Sequence, residues 1–271
     1  MHRLYVYSST GNSLALAEGL ARRLPPAEVI NMAFFRETTV RVSGARVGFI
    51  FPVHAFGLPA VVRSFFSRVE VEPGCPLYLL LNSAGLPLGA PALAERLLAD
   101  RAISVQSVFH IPMAGNYPPL SNPPAGEKSR SLADRGEQAL DDVAETLRRG
   151  DRPTTPGKGW RFLSEVINRR AFLGTADEDR RFFASNDCDG CSLCSQVCPV
   201  GNITFSDGRP HWHHRCTGCF ACFHWCPQKA IQYNRTNSEA RNRYHHPAIS
   251  RSRYLDWCRE GQLSPEVPRK G

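Results

Sequence analysis

At 271 residues, with 42% hydrophobic residues and a formal net charge of +8, the chain has a globular composition and room for two domains. No stretch reaches the roughly 18 uninterrupted apolar residues of a membrane span, and Met1–Tyr7 lacks the apolar core of a signal peptide, so neither is expected. Ten cysteines, eight of them regularly spaced, point to a reducing cytoplasm rather than a disulfide framework.

Residues 2–7, rich in Leu, Val and Tyr, predict a buried first strand. Ser8-Ser9-Thr10-Gly11-Asn12-Ser13 follows, and Leu14 to Ala21 then reads as a helix. A strand, a hydroxyl-rich loop and a helix N-terminus make an anion cradle, because backbone N–H groups and the positive end of the helix dipole converge there. The loop holds no Lys or Arg, ends without Gly-Lys-Ser/Thr and lacks Gly-x-Gly-x-x-Gly, so nucleoside triphosphates and dinucleotides are not favoured. One terminal phosphate remains. The plainer alternative is a turn whose Ser and Thr cap a helix.

Strand and helix patterns then alternate. Strands are predicted at Val29–Met32, Val47–Phe51, Leu77–Leu81 and Ser104–Ile111, and helices at Pro59–Arg68, Pro91–Arg101 and Glu127–Arg149. This alternation predicts a doubly wound parallel sheet. Three glycine-bearing loops, Pro52–Gly57, Asn82–Gly89 and Pro112–Pro118, leave the carboxyl ends of strands, where open α/β sheets bind ligands.

Residues 151–181 read as a Pro- and Gly-rich linker and a helix, with Trp160, Leu163, Ile167 and Phe172 on one face bracing two domains. Phe182-Phe183 opens a second domain as a strand, and Ile203–His211 predicts a hairpin turning at Asp207-Gly208. Its dominant feature is a repeat. Cys188, Cys191, Cys194 and Cys198-Pro199 recur twenty-eight residues later as Cys216, Cys219, Cys222 and Cys226-Pro227, with Gly190 matching Gly218 and Ile203 matching Ile231. Each half reads C-x2-C-x2-C-x3-C-P, the run that ligates cubane [4Fe–4S] clusters in bacterial two-cluster ferredoxins, where the fourth cysteine serves the other cluster. Cys188, Cys191, Cys194 and Cys226 are thus assigned to one cluster, and Cys216, Cys219, Cys222 and Cys198 to the other. Structural zinc uses paired Cys-x2-Cys arms and fits this run less well. His211, His213 and His214 read as a polar strand, and Cys75 and Cys258 as free thiols.

Residues 235–271 form a basic tail, with Arg235, Arg241, Arg243, Arg251 and Arg253 against the single acid Glu239 up to Arg253. A solvated tail is the favoured reading. A docking face for an acidic partner or for nucleic acid is the alternative.

The loop Ser8–Ser13 resembles the phosphate loop of flavodoxins, which holds the 5′-phosphate of FMN. The whole order, from Tyr5 to about Tyr233, resembles the flavodoxin–ferredoxin fusion proteins of anaerobic bacteria and archaea. It includes Phe51-Pro52 through Pro59, Gly115-Asn116-Tyr117 and Cys198 to Ile203. The resemblance implies a flavodoxin-like five-stranded parallel sheet of order 2-1-3-4-5 over residues 1–150, and a small α+β two-cluster ferredoxin domain over residues 182–234. It implies FMN beside two [4Fe–4S] clusters. In that setting Pro52, Val53, His54, Ala55, Phe56 and Gly57, with Asn116 and Tyr117, are candidates to meet the isoalloxazine, and Asn82, Ser83, Ala84 and Gly85 its pyrimidine edge. These loops lack a Trp and carry few acids, and His54 sits where an aromatic is common. The expected function is electron transfer between FMN and the clusters, converting two-electron to one-electron exchange for protein redox partners. A flavin-dependent reductase of an organic substrate or quinone, and a redox-responsive binding protein, are the alternatives. A homodimer stays open.

Overall fold

The protein is described from a computed structural model over residues 1–35, 37–153, 158–172, 175–234 and 238–263. In chain order the elements begin β1 (His2–Val6), α1 (Asn12–Arg23), β2 (Ala27–Asn31), β3 (Val40–Val42), β4 (Arg46–Pro52) and α2 (Ala60–Phe66). Next come β5 (Val69–Val71), β6 (Leu77–Ser83), α3 (Ala90–Ala99), β7 (Ser107–Pro112), α4 (Gly126–Arg149) and α5 (Arg161–Phe172). The C-terminal third holds β8 (Phe182–Ala184), α6 (Leu193–Gln196), β9 (Ile203–Ser206), β10 (Arg209–Trp212), α7 (Ala221–Trp225), β11 (Ile231–Tyr233) and α8 (Arg251–Leu263). No helix among the described residues is long and apolar enough to cross a membrane.

The main sheet is five-stranded and parallel, in the order β2-β1-β4-β6-β7. This differs from the expected 2-1-3-4-5 because β3 and β5, three residues each, enter the count and pair only with each other. Phe49, Ile50 and Phe51 of β4 and Leu77 to Leu81 of β6 are buried on both faces, as central parallel strands require. Gly48 is needed for the close packing of these strands, since a Cβ there would lie 2.4 Å from Cζ of Tyr78. The helix α4 covers the sheet through Ala133, Gly136, Leu140, Val143, Ala144 and Leu147, a stripe at helical spacing.

The C-terminal third is built from two antiparallel pairs, β8 with β11 and β9 with β10. Asp207 and Gly208 both take positive φ between β9 and β10, the turn expected of Asp-Gly. Phe182, Phe220, Phe223, Ile231 and Tyr233 fill a small core between the pairs.

Two expectations fail. The helix α5 does not brace the domains through Trp160 and Leu163, which are 54% and 47% exposed. Its buried face is polar instead, formed by Ser164 and Asn168 one helical turn apart. Ser164 Oγ accepts from Gly89 N–H at 2.9 Å, and Asn168 Nδ2 donates to the His54 carbonyl at 2.7 Å. The helix therefore fastens two carboxyl-end loops of the sheet to each other. The linker residues 154–157 lie outside the described residues.

Nor is the segment after Ser238 a solvated tail. Tyr244, Ile249, Tyr254, Trp257 and Cys258 are buried, and α8 packs on β2 and on the turn Met32–Phe34. Gly261 makes the closest approach, because a Cβ there would come within 2.8 Å of Asn31 and Phe34. Arg253 of α8 pairs with Glu18 of α1 at 2.8 Å. If α8 is part of the core, Trp257→Ala should cost about 3–5 kcal/mol of unfolding free energy, the range for emptying a buried Trp site. Urea titration followed by far-UV circular dichroism checks this, and a midpoint unchanged from the parent would return α8 to the status of an appendage.

Candidate functional site

The loop between β1 and α1 has two faces with different partners. Its carbonyls are taken by the C-terminal third. Ser8 O accepts from the Tyr254 hydroxyl at 2.8 Å, Ser9 O from Trp225 Nε1–H at 2.9 Å, and Thr10 O from His246 N–H at 2.8 Å. The N–H groups of Ser9, Thr10, Asn12 and Ser13 find no acceptor among the described residues, although all four residues are buried. Gly11 adopts φ +92°, a left-handed conformation that glycine takes readily at this bend, and its N–H donates to Ser8 Oγ at 3.1 Å.

Four orphan donors at a helix N-terminus, with no carboxylate in the loop, are the donor set an oxyanion would satisfy. The residues present thus fit a phosphate. Side chains brace the cradle: Asn82 Nδ2 donates to Ser13 Oγ at 2.7 Å, Asn12 Nδ2 to Ala114 O at 3.1 Å, and Asn116 Nδ2 to Thr10 Oγ1.

Three other loops lie around the β1–α1 loop. Val53 N–H donates to Asn82 O and Met113 N–H to Ser83 O, each at 2.8 Å, extending the strand register into the loops. Pro52 ends β4 opposite Asn82, and His54 and Gly57 close a tight hairpin through reciprocal backbone bonds, with Ala55 and Phe56 at positive φ on its tip. Ala84 and Gly85 are exposed, and Phe56 and Tyr117 are each 45% exposed, so aromatic surface is left uncovered at this edge. The His54 ring stands edge-on to Tyr7 at 6.2 Å, and burial pushes its pKa down to about 4, so it carries no charge at neutral pH.

The eight spaced cysteines form two groups. Cys188, Cys191, Cys194 and Cys226 line one pocket together with Leu193, Phe205, Pro227 and Ile231. In the second group Cys216, Cys219 and Cys222 lie beside Cys198. The exchange of the fourth cysteine between halves is thus present in the geometry. The repeat extends to backbone strain: Gly190 and Ser192 take positive φ, as do Gly218 and Phe220, and so do Gly201 and Lys229. These bends turn amides toward sulfur. Asn202 N–H meets Cys198 Sγ and Ala230 N–H meets Cys226 Sγ, both at 3.2 Å.

Burial pushes the Cys194 and Cys216 thiols up to about 12 and Cys219 to about 11, with neighbouring cysteines adding to the rise. Only a bound cation would hold them as thiolates at neutral pH. Among the described residues no three Cys, His, Asp or Glu side chains converge on one ion. Four thiols around a shared pocket fit a cluster in which each binds its own iron better than a mononuclear site. His214 is not poised for metal: its Nδ1 meets buried Asp179 at 2.7 Å.

The two centres meet at β1 and α7. Tyr7, the residue before the β1–α1 loop, is buried, and its hydroxyl lies against the Cys219 thiol. It faces Cys219, and burial together with that thiol raises its pKa well above the usual value. On α7, which contains Cys222 and ends at Cys226, His224 Nε2 meets Asn116 O at 2.8 Å and Trp225 holds Ser9. Arg243 lies over the Phe223 ring, 3.3 Å from its centroid, and donates to the carbonyls of Phe223 and Lys229. None of Tyr7, Trp225, His224, Tyr254 and Asn168 was singled out from sequence, because the contacts that give them a role join segments far apart in the chain.

Residues 187–231 match the family described as 4Fe-4S dicluster domain. Two curated relatives, each named ferredoxin-like protein in nif region, come from Trichormus variabilis (strain ATCC 29413 / PCC 7937) and Trichormus azollae. Each is 39% identical over 46 residues, 16% of this chain and 40% of the relative. The chain thus spans less than half the length of these relatives. Among solved structures, an azoreductase from Bacillus anthracis str. Sterne aligns with 54% of this chain and 99% of its own, at 12% identity and a TM-score of 0.36. That likeness is too distant to carry argument. The C-terminal region carries a 4Fe–4S dicluster ferredoxin domain.

The buried ring of His246, whose backbone N–H holds Thr10 O of the β1–α1 loop, is pushed down to about 4 by desolvation. A depressed histidine pKa means that the unfolded state takes up a proton near pH 6.5 while the folded state does not. The contribution is therefore complete above pH 6.5 and is lost as pH falls toward 4. Between pH 7 and 5.5 the loss should be about 1 kcal/mol, and His246→Gln should remove that part of the slope. Urea unfolding at the two pH values measures it, and an identical slope in both proteins would rule out His246 as its source.

Proposed function

We propose that this chain is an electron-transfer protein that holds one FMN in its N-terminal unit and two [4Fe–4S] clusters in its C-terminal unit. The observation that carries the reading is Tyr7. One residue lies between the cradle and the second cysteine group, so the two centres share a wall rather than a linker.

The proposed assignments follow the geometry. Ser8, Ser9, Thr10, Gly11, Asn12 and Ser13 hold the phosphate, and His54, Phe56 and Tyr117 flank the ring. The backbone from Asn82 to Gly85 meets its polar edge. Cys188, Cys191, Cys194 and Cys226 ligate the first cluster, and Cys198, Cys216, Cys219 and Cys222 the second. Bound FMN exchanges electrons in pairs or singly and a cubane takes one at a time, which is the chemistry such a pairing supplies.

The chain's own groups set the conditions. Tyr7 offers an O–H to the second site and, with Trp225 and Tyr254 stacked 4.3 Å apart, excludes water from the wall. At the far side Cys191 is exposed, so the first site is the one a protein redox partner reaches. We take residues 1–150 as the flavin unit and 182–234 as the cluster unit, with the segment from 238 to 263 closing over the former. A reducing cytoplasm suits eight reduced thiols.

Anaerobic reconstitution with iron, sulfide and FMN, followed by stepwise reduction under EPR, tests this. Two cubane signals and a flavin that equilibrates with them are expected. Clusters without bound flavin would reduce the chain to a plain ferredoxin. Cys191→Ala should abolish one cluster and leave FMN affinity within twofold of the parent, whereas retention of both clusters would void the ligand assignment. Tyr7→Phe should lower the reduction potential of the second cluster. Loss of one hydrogen bond, about 1 kcal/mol, corresponds to roughly 40 mV at about 59 mV per tenfold. A potential moved upward would contradict the role given to this hydroxyl.

A further inference from the structure

The helix α7 belongs to both centres at once. It contains Cys222, from the second cysteine group, and ends at Cys226, from the first. Phe223, between them, lies in the core of the C-terminal unit, whereas Ala221 and Trp225 lie in the core of the N-terminal unit. The two residues on α7 that face the N-terminal unit both end on the flavin cradle. Trp225 holds Ser9 O at 2.9 Å, and His224 holds Asn116 O at 2.8 Å, which in turn is tied to Thr10. The other ring nitrogen of His224, Nδ1, accepts from Tyr244 N–H at 3.1 Å, and the Tyr244 hydroxyl donates to Asn12 Oδ1 at 2.6 Å. Three of the loop's residues are therefore fixed through one short helix whose own geometry depends on the cysteines around it.

A five-residue helix is not stable by itself. Ligation of Cys222, its second residue, by the second cluster is what would anchor it. A loop whose carbonyls are held outward keeps its N–H groups convergent, and a loop released from that hold must be ordered again when a phosphate binds.

We propose that cluster loading and FMN binding are thermodynamically coupled through α7, with Trp225 and His224 as positioning residues for the phosphate loop. The inference rests on the electron-transfer reading above and adds a dependence to it: the second cluster prepares the flavin site. By reciprocity FMN must stabilise the second cluster by the same factor.

The test is FMN affinity, read by quenching of flavin fluorescence, in full-length protein of known iron and sulfide content. Stripping the clusters should weaken FMN binding about tenfold. Trp225→Phe keeps the ring but removes the N–H, so the loaded variant should bind FMN about three- to tenfold more weakly, the size of one neutral hydrogen bond. Its iron content should not change. Stripping that variant should then add little, because the coupling element is already cut; a purely structural role would weaken both forms equally. Partly loaded proteins guard against unfolding: Cys222→Ala, keeping the first cluster, should bind FMN more weakly than Cys191→Ala, keeping the second. Equal FMN affinity in loaded and stripped parent, or in the two cysteine variants, would overturn the coupling alone. Absence of FMN binding in every form would overturn the electron-transfer reading with it.

Discussion

The structure turns on the requirement that buried backbone polar groups be paired. At Ser8, Ser9 and Thr10 the carbonyls are satisfied by a phenol, an indole and an amide from residues more than two hundred positions later. With the oxygens committed outward, the N–H groups of the same turn have to face the sheet's carboxyl edge. An anion cradle in an isolated α/β domain would have solvent behind it. Here it has side chains from the C-terminal third behind it, packed into the sheet's own core, so the loop's shape is a tertiary property of the whole chain.

The cysteine groups differ in setting although their sequences repeat. Cys191 is exposed and its pocket opens near Asp189, whereas Cys219 packs on the N-terminal core. Desolvation without compensating donors favours the less charged state of a cluster, and exposure favours the more charged one. Two identical ligand runs therefore sit in unequal dielectric surroundings. A difference in potential between them needs no difference in ligands.

Much of this was legible in the residues. The spacing of the eight cysteines marked both groups, and the likeness of each run to those of two-cluster ferredoxins supplied the exchange between them. The apolar runs at β4 and β6 announced a parallel sheet. The strands β3 and β5 were not seen: Val-Arg-Val and Val-Glu-Val are too short to show a period. For α5 the period was read correctly and the face wrongly, since apolar Trp160 and Leu163 look like a core stripe while Ser164 and Asn168 do the burying. In α8 a signal did exist. Tyr254, Trp257, Cys258 and Gly261 recur at positions one, four, five and eight of a helical stripe. The surrounding arginines drew attention to charge instead.

Those arginines also bear on the net charge. The value of +8 counts every thiol as neutral. On the reading proposed above, eight thiolates, their clusters and a phosphate all bring negative charge into the interior, and the basic excess becomes the counter-charge of the loaded protein. Arg243 illustrates the point. Its pKa is lowered to about 10 by burial, and Cys226 and Cys222, one from each group, pull it back up. A half-buried guanidinium whose Nε finds no partner among the described residues is less favourable beside neutral thiols. Beside two anionic clusters the same placement is favourable, so the residue makes physical sense in the loaded state and little in the empty one.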